Sequence, residues 1–166
     1  AIGYETLQTA NSGEDYNVAV GHQALTSLDD SGADDNVAIG ALAADALQSG
    51  NQNVAIGKHA FGTSTDGTHN VAIGPFAMYQ PTRTVVGNVA IGYKALQQST
   101  SANMTGIVAV GYEAGWNTYV TAADHSVYIG YKAARGIGNG LIGGNSPNVI
   151  IGGEAGMHMT GSDHLC

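Results

Sequence analysis

The chain has 166 residues, a formal net charge of −8 at pH 7, and only 11% charged and 7% aromatic residues. This acidic balance argues against a nucleic-acid-binding protein, which needs a basic surface, and no apolar run is long enough to predict membrane insertion. The length is that of one domain, and no shift in composition divides residues 1–166. The 25 glycines are typical of tight turns between thin strands rather than of a large core.

One short phrase, Asn-Val-Ala-Ile-Gly, recurs along the whole chain in four full copies and five near copies. The glycines of these copies recur every 17 to 19 residues, with one longer step of 22. Alanine stands three residues after nearly every one of them. The repeat glycines are Gly3, Gly21, Gly40, Gly57, Gly74, Gly92, Gly111, Gly130 and Gly152. Self-similarity at a near-fixed period predicts an array of stacked repeats.

Each repeat predicts one narrow coil of β structure. The alternating Val-Ala-Ile triplet favours a short strand with Val and Ile on one face and Ala on the other. A second apolar piece follows the glycine, as in Ala60-Phe61, and a polar turn such as Ser49-Gly50 closes the unit. About 18 residues leave room for two short strands and two turns. We therefore predict an all-β parallel β-solenoid (β-roll) of about nine coils.

The two faces of the predicted strand are assigned different roles. Val and Ile are assigned to the core of the coil. Alanine is retained on the other face, where a solvated strand would drift to Thr, Lys or Glu, so that face is expected to be buried as well. One coil covers only one face, and we expect two identical chains, in an intertwined or side-by-side homotrimer, to cover the alanines. The predicted core row is Val18, Val20, Val37, Ile39, Val54, Ile56, Val71, Ile73, Val89, Ile91, Val108, Val110, Val127 and Ile129. The predicted interface row is Ala19, Ala38, Ala55, Ala72, Ala90 and Ala109.

The asparagine at the head of the phrase predicts a ladder in which each side-chain amide hydrogen-bonds the next coil and turn backbone groups. A ligand-binding row of amides is the alternative. The predicted ladder residues are Asn17, Asn36, Asn53, Asn70, Asn88 and Asn148.

Residues 116–145 depart from the regular pattern. Tyr128 takes the place of an alanine, so we expect the packing to loosen or widen there, and a half-coil at residues 136–143 would explain the step of 22. The C-terminal residues up to Cys166 align with the approach to another strand. The chain thus starts and stops at the same point of the repeat, and we expect it to be a fragment of a longer fibre.

Aromatic residues supply the candidate receptor contacts. Tyrosine follows the repeat glycine in three consecutive coils. Such a row either stabilises the stack of coils or binds sugars through exposed ring faces, and we favour stacking. Two further aromatics lie after Ala114-Gly115. The candidates are Tyr93, Tyr112, Trp116, Tyr119 and Tyr131.

No pattern predicts catalysis or a cofactor. The six histidines lack metal-ligand spacing, although His158 could form a three-nitrogen site on a trimer axis. The acidic residues Asp29, Asp30, Asp34 and Asp35 are interpreted as a solvated turn rather than a calcium or glycosidase site. The Gly-rich residues 138–143 match a dinucleotide fingerprint by letter but lack its βαβ context. We expect no enzyme.

The repeat Asn-Val-Ala-Ile-Gly-Tyr-Lys-Ala-Leu, from Asn88 to Leu96, resembles repeats of bacteriophage tail fibres. It is also similar to the Ser-Val-Ala-Ile-Gly-x-x-Ala repeat in the heads of trimeric autotransporter adhesins. The adhesin resemblance implies a left-handed parallel β-roll in which three chains lie side by side with apolar rows facing the axis. Adhesin heads have a shorter and steadier period than this chain, which favours the phage resemblance. Neither family supplies a catalytic residue.

The expected function is that of a shaft or adhesion segment of an extracellular trimeric fibre, on a phage tail or, alternatively, on a bacterial cell surface. Contact with a host glycan or protein receptor is expected through the turns. An ice-binding solenoid is disfavoured because no flat Thr-x-Thr row is present. A polysaccharide-degrading tailspike is disfavoured because small coils leave little room for a pair of catalytic carboxylates.

Overall fold

The structure, a computed structural model, describes residues 1–10, 13–30, 32–79, 85–97, 104–118, 123–136 and 148–157. These residues form an all-β parallel β-solenoid of about six turns with no helix, and therefore contain no helix that could span a membrane. Residues 119–122 and 137–145 of the irregular segment lie outside the described residues, as do Tyr119, His158 and Cys166.

Each full copy of the phrase places its Val-Ala-Ile triplet in one strand of a single sheet. The eleven strands are β1 (Val18–Val20), β2 (Val37–Ile39), β3 (Val54–Ile56), β4 (Val71–Ile73), β5 (Val85–Val86), β6 (Val89–Ile91), β7 (Met104–Thr105), β8 (Val108–Val110), β9 (Ala123–Asp124), β10 (Val127–Ile129) and β11 (Val149–Ile151). The main sheet has the order β1-β2-β3-β4-β6-β8-β10-β11, and all of its pairs are parallel. Strands β5, β7 and β9 form a second, smaller parallel sheet.

The solenoid has about six turns, fewer than the nine coils predicted. A turn needs a strand and also the return path that leads to the next strand. The opening copy of the phrase contributes only a single bridge, from Ile2 to Val20. The return path after β10 includes residues 137–147, which lie outside the described residues. Counting copies of the phrase therefore overestimated the number of turns.

The alanines of the strands point into the coil, and the valines and isoleucines point out of it. This arrangement is the reverse of the predicted one. The alanines that were predicted as an interface row are at most 1% exposed within a single chain: Ala19, Ala38, Ala55, Ala72, Ala90 and Ala109. The side chains that were predicted as the core row are half-buried or exposed: Val18, Val20, Val37, Ile39, Val54, Ile56, Val71, Ile73, Val89, Ile91, Val108, Val110, Val127 and Ile129.

The narrowness of the coil explains the exchange of the two faces. The alanine that follows the repeat glycine lines the same interior as the strand alanine, as Ala60 and Ala55 do in one coil, and both are fully buried. Larger side chains such as Phe61 and Leu47 fill the interior farther along the return path. In the coils with an inward alanine, the nearby wall favours a methyl group over a branched side chain, whereas Tyr128 and Ile150 occupy the same row near the C-terminal end.

Left-handed backbone conformations shape the corners of each coil. In the coil that begins at Gly57, three non-glycine residues have positive φ: His59 (55°), Phe61 (54°) and His69 (59°). Positive φ recurs at the same positions in the neighbouring coils, where Gln52 of the preceding coil and Gly87 of the following coil take the place of His69. Such conformations are uncommon for non-glycine residues, so the stacked coils must hold them in place.

The repeat glycines are required by close contact between successive coils. Gly74 has a φ of 124°, and a Cβ atom added to it would lie 2.6 Å from the carbonyl oxygen of Gly92 in the next coil. That distance is shorter than any van der Waals contact. Glycine is therefore required at this corner for two reasons: the positive φ disfavours other residues, and the neighbouring backbone leaves no space for a Cβ atom.

Tyr128 is accommodated without loss of register, although we expected the packing to widen there. Tyr128 pairs with Ala109 of the preceding coil and is fully buried. A Cβ atom added to Gly115 would lie 3.0 Å from the Tyr128 ring, at a position where other coils carry a larger side chain such as Leu96. The ring occupies the space that Gly115 leaves empty.

The interior position of the alanines leads to a first prediction. Replacing Ala72 by Leu adds three carbon atoms to a coil without space for them and should destabilise the protein by about 1–3 kcal/mol. The matched control, Ile73→Leu, changes an outward side chain at nearly constant volume and should have little effect. Urea unfolding followed by circular dichroism measures both. Equal effects of the two substitutions would contradict the assignment of the faces.

Candidate functional site

A continuous ladder of asparagine side chains runs through the interior at one corner of the coils. The Oδ1 atom of Asn53 accepts hydrogen bonds from the backbone nitrogen (3.1 Å) and the Nδ2 atom (3.0 Å) of Asn70. The Nδ2 atom of Asn53 donates to Asn36 Oδ1 (3.0 Å) and to the Gly67 carbonyl (2.7 Å). Similar bonds join Asn17 to Asn36 and Asn70 to Asn88. Asn36, Asn53, Asn70 and Asn88 are at most 2% exposed, which leaves no surface for a ligand.

The ladder changes its chemistry where the sequence changes. Asn88 Oδ1 accepts from the backbone nitrogen of Ile107 (2.9 Å), which stands at the ladder position but offers no side-chain amide of its own. Ser126 takes the position in the following coil, and its hydroxyl accepts from the backbone nitrogen of Asn148 (3.1 Å). In this coil the serine hydroxyl thus acts as the hydrogen-bond acceptor in place of an asparagine amide.

The outer face of the main sheet is an uninterrupted apolar surface. Every strand of this sheet contributes two outward Val or Ile side chains, and the parallel register stacks valine on valine and isoleucine on isoleucine over most of its length. The most exposed are Val18, Ile39, Ile91, Ile129, Val149 and Ile151, between 37% and 60%. A contiguous exposed apolar surface of this kind is typical of a protein–protein contact.

The predicted tyrosine row is a stack of rings along the solenoid. The ring centroids of Tyr93 and Tyr112 are 5.1 Å apart, and those of Tyr112 and Tyr131 are 5.4 Å apart, with the planes inclined by 26° and 22°. The Lys132 ammonium lies 4.6 Å from the Tyr131 centroid, and Phe76 meets the Tyr93 ring at 6.3 Å. Because the ring faces are turned toward one another, they are not free to stack on a sugar. Their edges remain accessible, since Tyr112 and Tyr131 are 43% and 50% exposed.

A cluster of cations beside the tyrosines was not predicted. The Arg135 Nε atom lies 2.9 Å from Glu113 Oε2, and its guanidinium carbon lies 4.6 Å from the ring centroid of Trp116. Lys94 places its ammonium 5.2 Å from the ring of Tyr93 and 5.9 Å from that of Trp116. A cation over an aromatic face is stabilised by the ring quadrupole.

The repeat register contained a signal for this cluster. Lys94, Glu113 and Lys132 are each the second residue after a repeat glycine, so they fall in one row on consecutive coils. Trp116 and Arg135 likewise share the fifth position after the glycine. Comparing every position of the repeat, and not only the Asn-Val-Ala-Ile-Gly phrase, would have grouped them.

Among the residues that the structure describes, the remaining candidates form no site. Asp34 accepts from the backbone nitrogen of Asp15 (2.6 Å), and Asp30 accepts from that of Gly32 (3.2 Å), as expected of a structured turn. Within the described ranges, no group of His, Cys, Asp or Glu residues could hold a metal ion. Burial raises the pKa of Asp45, an effect that the nearby His59 partly offsets. Burial also raises the pKa of Tyr128, and the nearby Ser126 side chain partly offsets that effect.

The ladder leads to a second prediction. Asn53→Ala removes four buried hydrogen bonds and leaves the Gly67 carbonyl and the Asn70 backbone nitrogen without a partner, so it should cost about 2–4 kcal/mol of stability. Asn51→Ala is the matched control, because Asn51 makes an exposed bond of 3.4 Å to Gly32. Urea unfolding at fixed protein concentration compares them. A cost below that of the control would refute the structural role of the ladder.

The geometry thus offers an apolar outer face and a tyrosine–cation surface as candidate sites of interaction. No protein-family model, curated protein or solved structure matches the chain.

Proposed function

We propose that this chain is a shaft segment of an extracellular homotrimeric fibre that displays or contributes to the binding of a host receptor. A phage tail fibre is the preferred assignment, and the head of a bacterial trimeric surface adhesin is the second candidate. Its role is mechanical and includes no catalytic step and no cofactor. Stacked coils, each adding about 4.8 Å, hold a receptor-binding element away from the particle or cell.

The apolar outer face of the main sheet is the observation that carries this proposal. An exposed Ile39 alone would be unremarkable, but the Val and Ile rows continue over all eight strands. The interior of each coil is already filled by its own alanines and larger side chains, so these rows lie outside the hydrophobic core of the single chain and stack only on one another along the outer face. Covering them would remove a large apolar area from water.

Identical chains are the occupants that fit this face. A partner must present apolar side chains at the same axial repeat as the coils, and a parallel copy of this solenoid does so at every level. Each strand has two outward rows, one of valine and one of isoleucine or valine. A three-fold arrangement allows each chain to offer one row to each of its two neighbours. The resemblance of the repeat to those of trimeric fibres supports the same number.

The mass of the protein in solution tests the assembly. Light scattering at micromolar concentration should give three times the 16.8-kDa chain mass. Ile56→Lys combined with Ile73→Lys places charges on the apolar face and should shift the mass toward a single chain. The matched control, Gln48→Lys with Thr65→Lys, adds the same charge to exposed turns and should leave the mass unchanged.

Two results would overturn the assembly. A folded protein with the mass of one chain would show that the face stays open to water. Twice the chain mass would retain the face as an interface but exclude three-fold symmetry.

Antibodies against the purified chain, viewed by electron microscopy in a culture of its source, test the biological setting. Label on virion tails supports the phage assignment, and label on the cell envelope supports the adhesin. Label confined to the cell interior contradicts an extracellular fibre.

A further inference from the structure

We propose that the surface formed by Tyr112, Tyr131, Lys94, Lys132 and Arg135, here called the tyrosine–cation patch, binds an anionic polysaccharide. This inference goes beyond the structural role proposed above. It does not rest on trimer formation, because one chain supplies every residue of the patch. Its support comes from the distribution of charge, the spacing of the lysines and the orientation of the rings.

The charges of the chain are unevenly distributed along the solenoid. Residues 1–66 contain nine Asp or Glu residues and one Lys, whereas residues 67–136 contain two acidic and four basic residues. Three of the five basic residues of the chain, Lys94, Lys132 and Arg135, belong to the patch. A polyanion is therefore repelled by the acidic coils of residues 1–66 and attracted to the coils that carry the patch.

Two carboxylates, those of Glu113 and Glu154, neighbour the patch lysines in the same row. Glu154 is exposed one coil beyond Lys132, whereas Glu113 is already neutralised. Glu113 is 10% exposed at its side chain and pairs with Arg135, which also lies against Trp116. Lys94 has aromatic neighbours and no ion pair within the part of the chain that the structure describes. A hydrogen bond with Tyr131 raises the pKa of Lys132 above its ordinary value. Both ammonium groups retain N–H donors for a ligand.

The two lysines are spaced in a way that suits a polymer with regularly placed acids. Lys94 and Lys132 occupy the same repeat position two coils apart, so their backbones are separated by roughly 10 Å along the solenoid. That separation is comparable with the length of a disaccharide. A glycan lying along the solenoid can therefore place acidic groups from successive repeats on both cations.

The ring geometry selects the chemistry of the sugar. A neutral sugar is usually held by an aromatic face, but the faces of Tyr112 are covered by Tyr93 and Tyr131. The exposed tyrosine edges offer hydroxyl groups, which donate to and accept from sugar hydroxyls. Affinity must then come mainly from charge-assisted bonds between the ammonium groups and acidic groups, which favours a polyuronate over an uncharged glycan.

Binding of the full chain to immobilised polygalacturonate, compared with dextran, tests the proposal at low ionic strength. Polygalacturonate should bind, dextran should not, and binding should weaken as salt rises. Lys94→Gln combined with Lys132→Gln should lower the affinity by about tenfold or more, because two charge-assisted contacts are lost. Lys58→Gln, which removes the charge of one lysine elsewhere on the solenoid, is the control. Lys58 is exposed and outside the patch, so its loss should change the affinity less than twofold.

Several outcomes would overturn this assignment. Equal binding of dextran and polygalacturonate would remove the charge selectivity, and unchanged affinity of the folded double lysine variant would remove the lysines as its source. Absence of polygalacturonate binding would also contradict the proposal. If light scattering then showed that the same variants lower the mass of the assembly, the patch would be a contact between copies of the chain. Circular dichroism checks that each variant is folded. A single-chain mass together with selective binding would contradict the fibre proposal and leave this one intact.

Discussion

Hydrogen bonding between successive coils is the constraint on which the rest of the structure depends. The coils satisfy their backbones axially: Val54 donates to the Asn70 carbonyl of the next coil (2.8 Å), and Gly57 donates to the Ile39 carbonyl of the previous one (2.8 Å). The asparagine ladder extends this pattern into the interior, where unpaired polar groups would be costly. Because the bonds keep successive coils in one register, each repeat position becomes a row along the solenoid. Packing and surface chemistry are therefore set by which residues occupy each row of equivalent positions.

The dimensions of the coil decide which rows lie inside. The walls approach so closely that alanine fits behind the strand in most coils, and glycine is required at the corner that directly follows the strand. Where a larger residue enters the interior, a smaller one in the adjacent coil makes room, as Gly115 does for Tyr128. The bulky branched residues are consequently displaced to the outer face. A sheet with its apolar side outward exposes apolar surface to water in an isolated chain. This exposure is the basis of the homotrimer that we propose.

The same register explains why surface side chains act collectively. Tyrosines in consecutive coils stack because their backbones are one strand spacing apart, which is close to the distance at which offset aromatic rings attract one another. Stacking uses the ring faces and leaves the edges exposed. Lysine, glutamate and arginine in the adjoining rows then fall within reach of these rings and of one another. The tyrosine–cation patch thus forms because the repeat aligns equivalent positions, and a few coils carry aromatic or charged residues at those positions.

The sequence by itself determined the class of fold, because a phrase as regular as Asn-Val-Ala-Ile-Gly leaves few alternatives to parallel stacked coils. The asparagine ladder was equally predictable, since a polar residue repeated at a fixed position needs a partner in the next coil. Which face of the strand points inward could not be predicted, since Val and Ile are ordinarily the residues of a core and the alternating pattern is the same for either orientation. Only the tertiary structure decided it, because strand and return path pack closely in most coils, where the inward residue is an alanine such as Ala55. The left-handed residues at the corners, such as His59, were also decided there, because axial hydrogen bonds impose a conformation that local preference alone disfavours.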